Sequence, residues 1–148
     1  MSDQSACLFC RLVAGELPAH LVAADEYCVA FLDTSPAARG HTLVVPRRHV
    51  TDLWTADAET AAALGRSCAT VARRIRERLA PDGLTMRQNT GEASGQNVFH
   101  LHVHLVPRWH GDGNVGWPWP PPSEHDPDEV LRLLQPELSD SLIPFTPG

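Results

Sequence analysis

Phe99-His100-Leu101-His102-Val103-His104-Leu105 alternates apolar side chains with imidazoles. In an extended strand successive side chains point to opposite faces, so the pattern puts His100, His102 and His104 on one face and Phe99, Leu101, Val103 and Leu105 on the other. One strand is expected to carry a core face and a reactive face. Same-face residues on a strand lie about 6.6–7 Å apart at Cα, close enough for three imidazoles to reach different atoms of one small substrate. Imidazole serves nucleophilic attack, proton transfer and metal binding near neutral pH. The pattern itself leaves two readings open. All three rings could hold one catalytic zinc with an open position for water. Alternatively, a neutral ring could attack an electrophile such as phosphorus while a neighbour stabilises charge or protonates the leaving group.

Outward from this stretch, the chain reads as short strands with one long helix. Leu21 to Ala24 and Tyr27 to Leu32 form two strands joined by an Asp25-Glu26 turn, and His41 to Val45 is a β-branched strand stopped by Pro46. From Asp57 to Leu79 the apolar positions Leu64, Cys68, Val71, Ile75 and Leu79 recur at spacings of three and four, as one amphipathic helix requires. Arg66, Arg73, Arg74, Arg76 and Arg78 fall mostly on its solvated face, and Pro81-Asp82-Gly83 stops it. Leu84 to Asn89 is a further strand, and the polar segment Thr90 to Gln96 turns it into the histidine strand. Asp126-Pro127-Asp128-Glu129 carries helix-start chemistry for a short helix through Leu134. Hairpins outnumber crossovers. The expected fold is α+β: a mainly antiparallel five-stranded sheet with one long helix and short terminal helices.

Composition narrows the chemistry. A chain of 148 residues fits one domain, and no apolar run reaches the ~18 residues of a membrane span. The first residues lack the basic and apolar regions of a signal peptide, so a soluble cytoplasmic protein is expected. A formal charge of -6 argues against a general nucleic-acid surface. All 12 basic residues are arginine, which excludes a lysine nucleophile, a Schiff base and a P-loop lysine. Cys28 and Cys68 sit in apolar contexts and read as buried hydrophobes, whereas Cys7-Leu8-Phe9-Cys10 is a C-x2-C pair that needs two more ligands to hold zinc.

Gly95-Gln96-Asn97-Val98-Phe99-His100-Leu101-His102-Val103-His104-Leu105-Val106-Pro107-Arg108 resembles the signature of the histidine triad (HIT) family of nucleotide hydrolases and transferases. Phe31-Leu32-Asp33, Gly40 to Pro46 and Asn89 occur in that family's order, so the resemblance covers roughly residues 7 to 108 of a single domain over 1–148. Residues 109–148 form an extension rich in tryptophan and proline, with Trp117-Pro118-Trp119-Pro120-Pro121-Pro122 favouring polyproline II geometry. The resemblance implies that His102 attacks the α-phosphate and forms a transient nucleotidyl-histidine, that His104 contacts phosphate oxygens, and that His41 lies near the phosphate and leaving group. It further implies that Asn89, Gln96 and Asn97 donate to the phosphate or leaving side, that Asp33 holds the ribose hydroxyls, and that Phe9, Leu12, Phe31 and Leu32 enclose the base. Asn97 stands where many members have serine or threonine.

A bacterial, zinc-containing branch of the family has a similar C-x2-C pair, completed by a histidine after the His41-type strand and by the first triad histidine. Those positions here are His49 and His100, giving a structural zinc on Cys7, Cys10, His49 and His100. Four protein ligands leave no place for a catalytic water. The resemblance implies a homodimeric hydrolase of purine nucleoside phosphoramidates or related adenylates. A dinucleoside polyphosphate hydrolase and a nucleotide-binding scaffold with incidental hydrolysis are the alternatives.

Overall fold

Two hairpins supply four of the five strands, and the remaining strand pairs with one strand of each to make a single sheet. The computed structural model describes residues 4–113 and 124–135. Its strands are β1 (Leu21–Ala24), β2 (Cys28–Leu32), β3 (Thr42–Pro46), β4 (Gly83–Arg87) and β5 (Val103–Arg108), in the order β1-β2-β3-β5-β4. Every pairing is antiparallel, as the sequence predicts. The helices are α1 (Leu8–Val13), α2 (Ala58–Leu79) and α3 (Pro127–Leu134). Among the described residues no helix is long and apolar enough to cross a membrane. The Trp117–Pro122 segment lies outside the described residues.

Local chemistry accounts for the element boundaries. Asp25 Oδ1 accepts from the N–H groups of Tyr27 and Cys28 at 2.8 and 2.7 Å, which closes the first hairpin. Its other oxygen accepts from the Ser67 hydroxyl and ties that turn to α2. Asp57 caps α2 by accepting from the Thr60 N–H at 2.8 Å. The helix ends at Ala80, which adopts a left-handed conformation just before Pro81. Leu64, Cys68, Val71, Ile75 and Leu79 are all buried, so the periodicity identified the core face correctly. Arg74 departs from the solvated set: it is half-buried and donates to the Val22 carbonyl at 2.6 Å. Gly40, at φ +85°, precedes β3 where a Cβ would collide with Leu79.

Strand alternation divides the sheet into two apolar faces. Cys28, Ala30, Leu32, Val44, Val103 and Leu105 pack in the main core with α2, to which α3 adds Val130 and Leu134. Val29, Phe31, Leu43 and Val45 pack on the other side with Phe9 and Val13 of α1. His104 pairs with Leu43 across β3 and β5, and directly opposed residues share a face. The reactive side is therefore the α1 side.

The histidine strand is shorter than its pattern predicts. Pairing of β5 with β3 begins at Val103, opposite Val44. Extending the register would oppose Leu101 to Pro46, which has no N–H to give, and the chain leaves β3 at Arg47. Leu101 instead donates its N–H to the Val50 carbonyl at 2.6 Å. Phe99, expected in the core, lies before this anchor and is 50% exposed. The strand expected over Leu84 to Asn89 likewise stops at Arg87, where the Gln88 amide turns back to bond the Asn89 carbonyl and the Thr90 hydroxyl.

Candidate active site and metal centre

A neutral imidazole has one donor and one acceptor nitrogen, so a ring bonded to an obligate donor or acceptor has its tautomer fixed. Three rings here are fixed by the main chain. His100 Nε2 lies 2.8 Å from the Pro46 carbonyl and must donate, leaving the Nδ1 lone pair for other partners. His102 Nδ1 lies 2.8 Å from the His100 carbonyl and must donate, leaving the lone pair on Nε2. His41 Nδ1 accepts from the Ala37 N–H at 3.0 Å, so its proton sits on Nε2. Sequence reasoning missed all three backbone groups, because a carbonyl or amide at the right place leaves no residue-type signal.

The Nδ1 lone pair of His100 points into the C-x2-C pair, 3.5 Å from Cys7 Sγ and 3.5 Å from Cys10 Sγ. His49 Nδ1 lies 3.2 Å from Cys10 Sγ, and all four ligand atoms lie within 4.8 Å of one another. In a tetrahedral site, Zn–S near 2.3 Å and Zn–N near 2.0–2.1 Å put sulfur and nitrogen about 3.5 Å apart. The donor set fits zinc. Burial and the neighbouring Cys7 thiol push Cys10 up to about 12. Both cysteines belong to the α1 segment, with Cys7 capping the helix by accepting from the Cys10 N–H, so a bound metal would tie that segment to β3 and the histidine stretch.

The second cluster is Asp33, His41 and His104, whose ligand atoms also lie within 4.8 Å of one another. His41 Nε2 is 2.9 Å from His104 Nδ1 and 3.5 Å from Asp33 Oδ2. A cation at His41 Nε2 would have to displace its proton while Nδ1 still accepts from Ala37, which leaves an imidazolate. This cluster suits hydrogen bonding, unlike the thiol site. Burial lowers His41 to about 4, and burial with the neighbouring His41 and His102 lowers His104 to about 4. Burial lowers His102 as well, opposed by the His100 carbonyl and Asp33. Burial raises Asp33 against the Ser35 N–H that it accepts.

Of the residues expected to bind a nucleotide, the structure gathers Phe9, Phe31 and Leu12 on the α1 side. The Phe9 ring stands edge-on to Phe31 at 5.5 Å and to His102 at 5.1 Å between centroids, with half-buried Leu12 packed beside them. Strand alternation turns the Leu32 side chain through the sheet into the α2 core, on the face opposite Phe31. The buried Gln96 amide accepts from the Gly91 N–H at 2.7 Å and donates to the Thr51 and Val98 carbonyls at 2.8 and 3.1 Å, which holds the loop. Asn89 is half-buried and donates to the Ser94 carbonyl, while Asn97 is exposed.

This sheet, with imidazoles clustered on the end of β5 and the entry to β3, defines a histidine triad protein. The HIT domain family model matches residues 14–111, and the chain belongs to that family. A Zn-bound histidine triad family protein from Mycobacterium smegmatis is 38% identical in sequence, with a TM-score of 0.81 over 91% of this chain and 94% of that one. The protein hit of Bacillus subtilis is 35% identical over 136 residues, 92% of this chain and 94% of that protein. Adenylylsulfatase HINT3 of Arabidopsis thaliana is 32% identical over 105 residues, 71% of this chain and 53% of that larger protein.

The buried neutral rings set an acid limit on stability. His41 and His104 titrate near 4 in the fold and near 6.5 when unfolded, so the unfolded chain takes up protons first as pH falls. Their stabilisation is complete above about pH 6.5 and is lost progressively toward pH 4, while the raised Asp33 works in the opposite direction at the acid end. Urea midpoints measured from pH 7 to 4.5 should therefore drop less in His41→Leu than in the wild type. The comparison removes acid loss at the thiol cluster, which both proteins share; parallel curves would show that His41 is not held neutral.

Proposed function

We propose that this protein is a nucleotide hydrolase or transferase acting on the α-phosphate of purine nucleoside phosphoramidates or related adenylates. The observation that carries the reading is the His102 Nδ1–H bond to the His100 carbonyl, which leaves an unprotonated Nε2 on a ring beside Phe9 and His104. In this reading Nε2 of His102 attacks the α-phosphorus and the bond to the leaving group breaks, with the leaving group taking up a proton from solvent. The resulting nucleotidyl-imidazolium is stabilised by its Nδ1–H bond to the carbonyl. Water then attacks phosphorus and returns a proton to solvent, the P–Nε2 bond breaks and a nucleoside monophosphate departs. Phe9, Leu12 and Phe31 offer the base an apolar wall, Asp33 accepts from the ribose, and His104 and Asn97 donate to phosphate oxygens. The adenylylsulfatase among the relatives supports an adenylate as one substrate.

Zinc on Cys7, Cys10, His49 and His100 would act as a cross-link, supplying no reacting group. A reducing cytoplasm would keep those thiols available for the metal. The pairing unit we propose is a homodimer across β4, an edge strand bonded only to β5 among the described residues, whose Leu84 and Met86 are exposed.

Each of these readings has its own test. His102→Ala should lose at least ~10³-fold in turnover of a nucleoside phosphoramidate, and acid-quenched wild type should carry one nucleoside monophosphate in mass, absent from the variant. Undiminished turnover would remove His102 from the nucleophile's role. Elemental analysis should find one zinc per chain, and Cys10→Ser should lose the metal together with at least ~3 kcal/mol of stability. Light scattering should give twice the chain mass, and Met86→Arg should shift it toward one.

A further inference from the structure

We propose that His41 is a positioning residue that acts through His104: it holds the His104 proton on Nε2, against the pull of Asp33 toward Nδ1. The tautomer assignment stands on the hydrogen bonds and on the burial that keeps both rings neutral; what the Nε2 proton does rests on the function proposed above.

The argument begins at a backbone amide. The Ala37 N–H can only donate, and it meets His41 Nδ1 at 3.0 Å in a site where His41 is 2% exposed. The neutral ring therefore carries its proton on Nε2, 2.9 Å from His104 Nδ1. That nitrogen must accept, so the proton of neutral His104 is on Nε2. Both rings are neutral near pH 7, because burial holds them at about 4.

Without His41 the balance changes. Asp33 Oδ2 lies 3.9 Å from His104 Nδ1, and a carboxylate beside an imidazole draws the ring proton to the nitrogen that faces it. His104 would then carry its proton on Nδ1 and offer a bare Nε2 lone pair, which repels a phosphate oxygen. The His41 Nε2–H opposes this twice. It occupies His104 Nδ1 as a donor, and its 3.5 Å approach to Asp33 Oδ2 partly engages the competing oxygen.

The loop between β2 and β3 makes the donor rigid. Ser35 N–H bonds Asp33 Oδ1 at 2.8 Å, and His41 N–H bonds the Ala38 carbonyl at 3.0 Å, so Asp33, Ala37 and His41 are set by one self-bonded turn. That turn closes at Gly40, whose left-handed backbone brings it against Leu79 of α2. The amide that fixes His41 is thus held by the core.

Long-range proton–nitrogen correlation of histidine-labelled protein near pH 7 reads which ring nitrogen carries the proton. Wild-type His104 should show a protonated Nε2 and a bare Nδ1. His41→Leu should move the proton to Nδ1, and His41→Gln, whose amide N–H can stand near the lost Nε2–H, should return it. A wild-type His104 protonated on Nδ1 overturns the proposal without any variant having to fold, and so does an unchanged tautomer in His41→Leu. No substrate is present in this measurement. In turnover of adenosine 5′-phosphoramidate, kcat/KM should fall about 10²–10³-fold in His41→Leu, the usual cost of one lost charge-stabilising donor, and recover to within about tenfold in His41→Gln. A swapped tautomer with an unchanged rate would leave the tautomer assignment standing and overturn His104 as a phosphate donor.

Discussion

A neutral imidazole can satisfy one donor and one acceptor, and in this protein the main chain decides which nitrogen does which. The Pro46 carbonyl, the His100 carbonyl and the Ala37 amide each bind one ring nitrogen of His100, His102 and His41. Each bond commits the opposite nitrogen: a lone pair toward the thiols, a lone pair on the proposed nucleophile, a proton toward His104. Side chains of one type thus acquire different chemistry without any change of residue.

Those backbone groups are where they are because of how β3 meets β5. The pairing of Leu43 with His104 sets the imidazoles on the α1 side, and a slip of one residue would send them into the α2 core. Pro46 ends that ladder, so the chain before Val103 is freed from strand pairing and bonds instead to Val50 and Pro46. Four residues thereby leave the sheet's regular geometry, yet His100 and His102 are buried more deeply than a half-solvated strand face allows. Burial is what keeps the rings neutral, since an imidazolium there would lose its hydration.

The thiol cluster and the proposed reaction centre share one short segment. His100 contributes its ring to the first and its carbonyl to His102 in the second, while Phe9, between the two cysteines, packs against both rings. Anything that fixes His100 therefore also fixes the acceptor for His102. A metal cross-link fits this arrangement physically: it would restrain an α1 segment too short to order itself and, through His100, the ring that carries the lone pair.

The sequence by itself determined the antiparallel sheet, the buried face of α2, the hairpin turns and the Cys7/Cys10 pair, because period, turn chemistry and ligand spacing are written in residue types. Family resemblance added His49 and His100 as partners of that pair and marked Asp33, His41 and His104 as site residues. Tertiary structure alone decided the rest. Leu32 and Phe31 look equivalent in a list of apolar neighbours, but the pleat sends one into the α2 core and the other toward Phe9. Gln96 looks like a free donor until the folded loop surrounds it with carbonyls. The protonation of each ring depends on backbone atoms brought in by distant turns. Every residue carries the same amide and carbonyl, so their partners are legible only once the chain has folded.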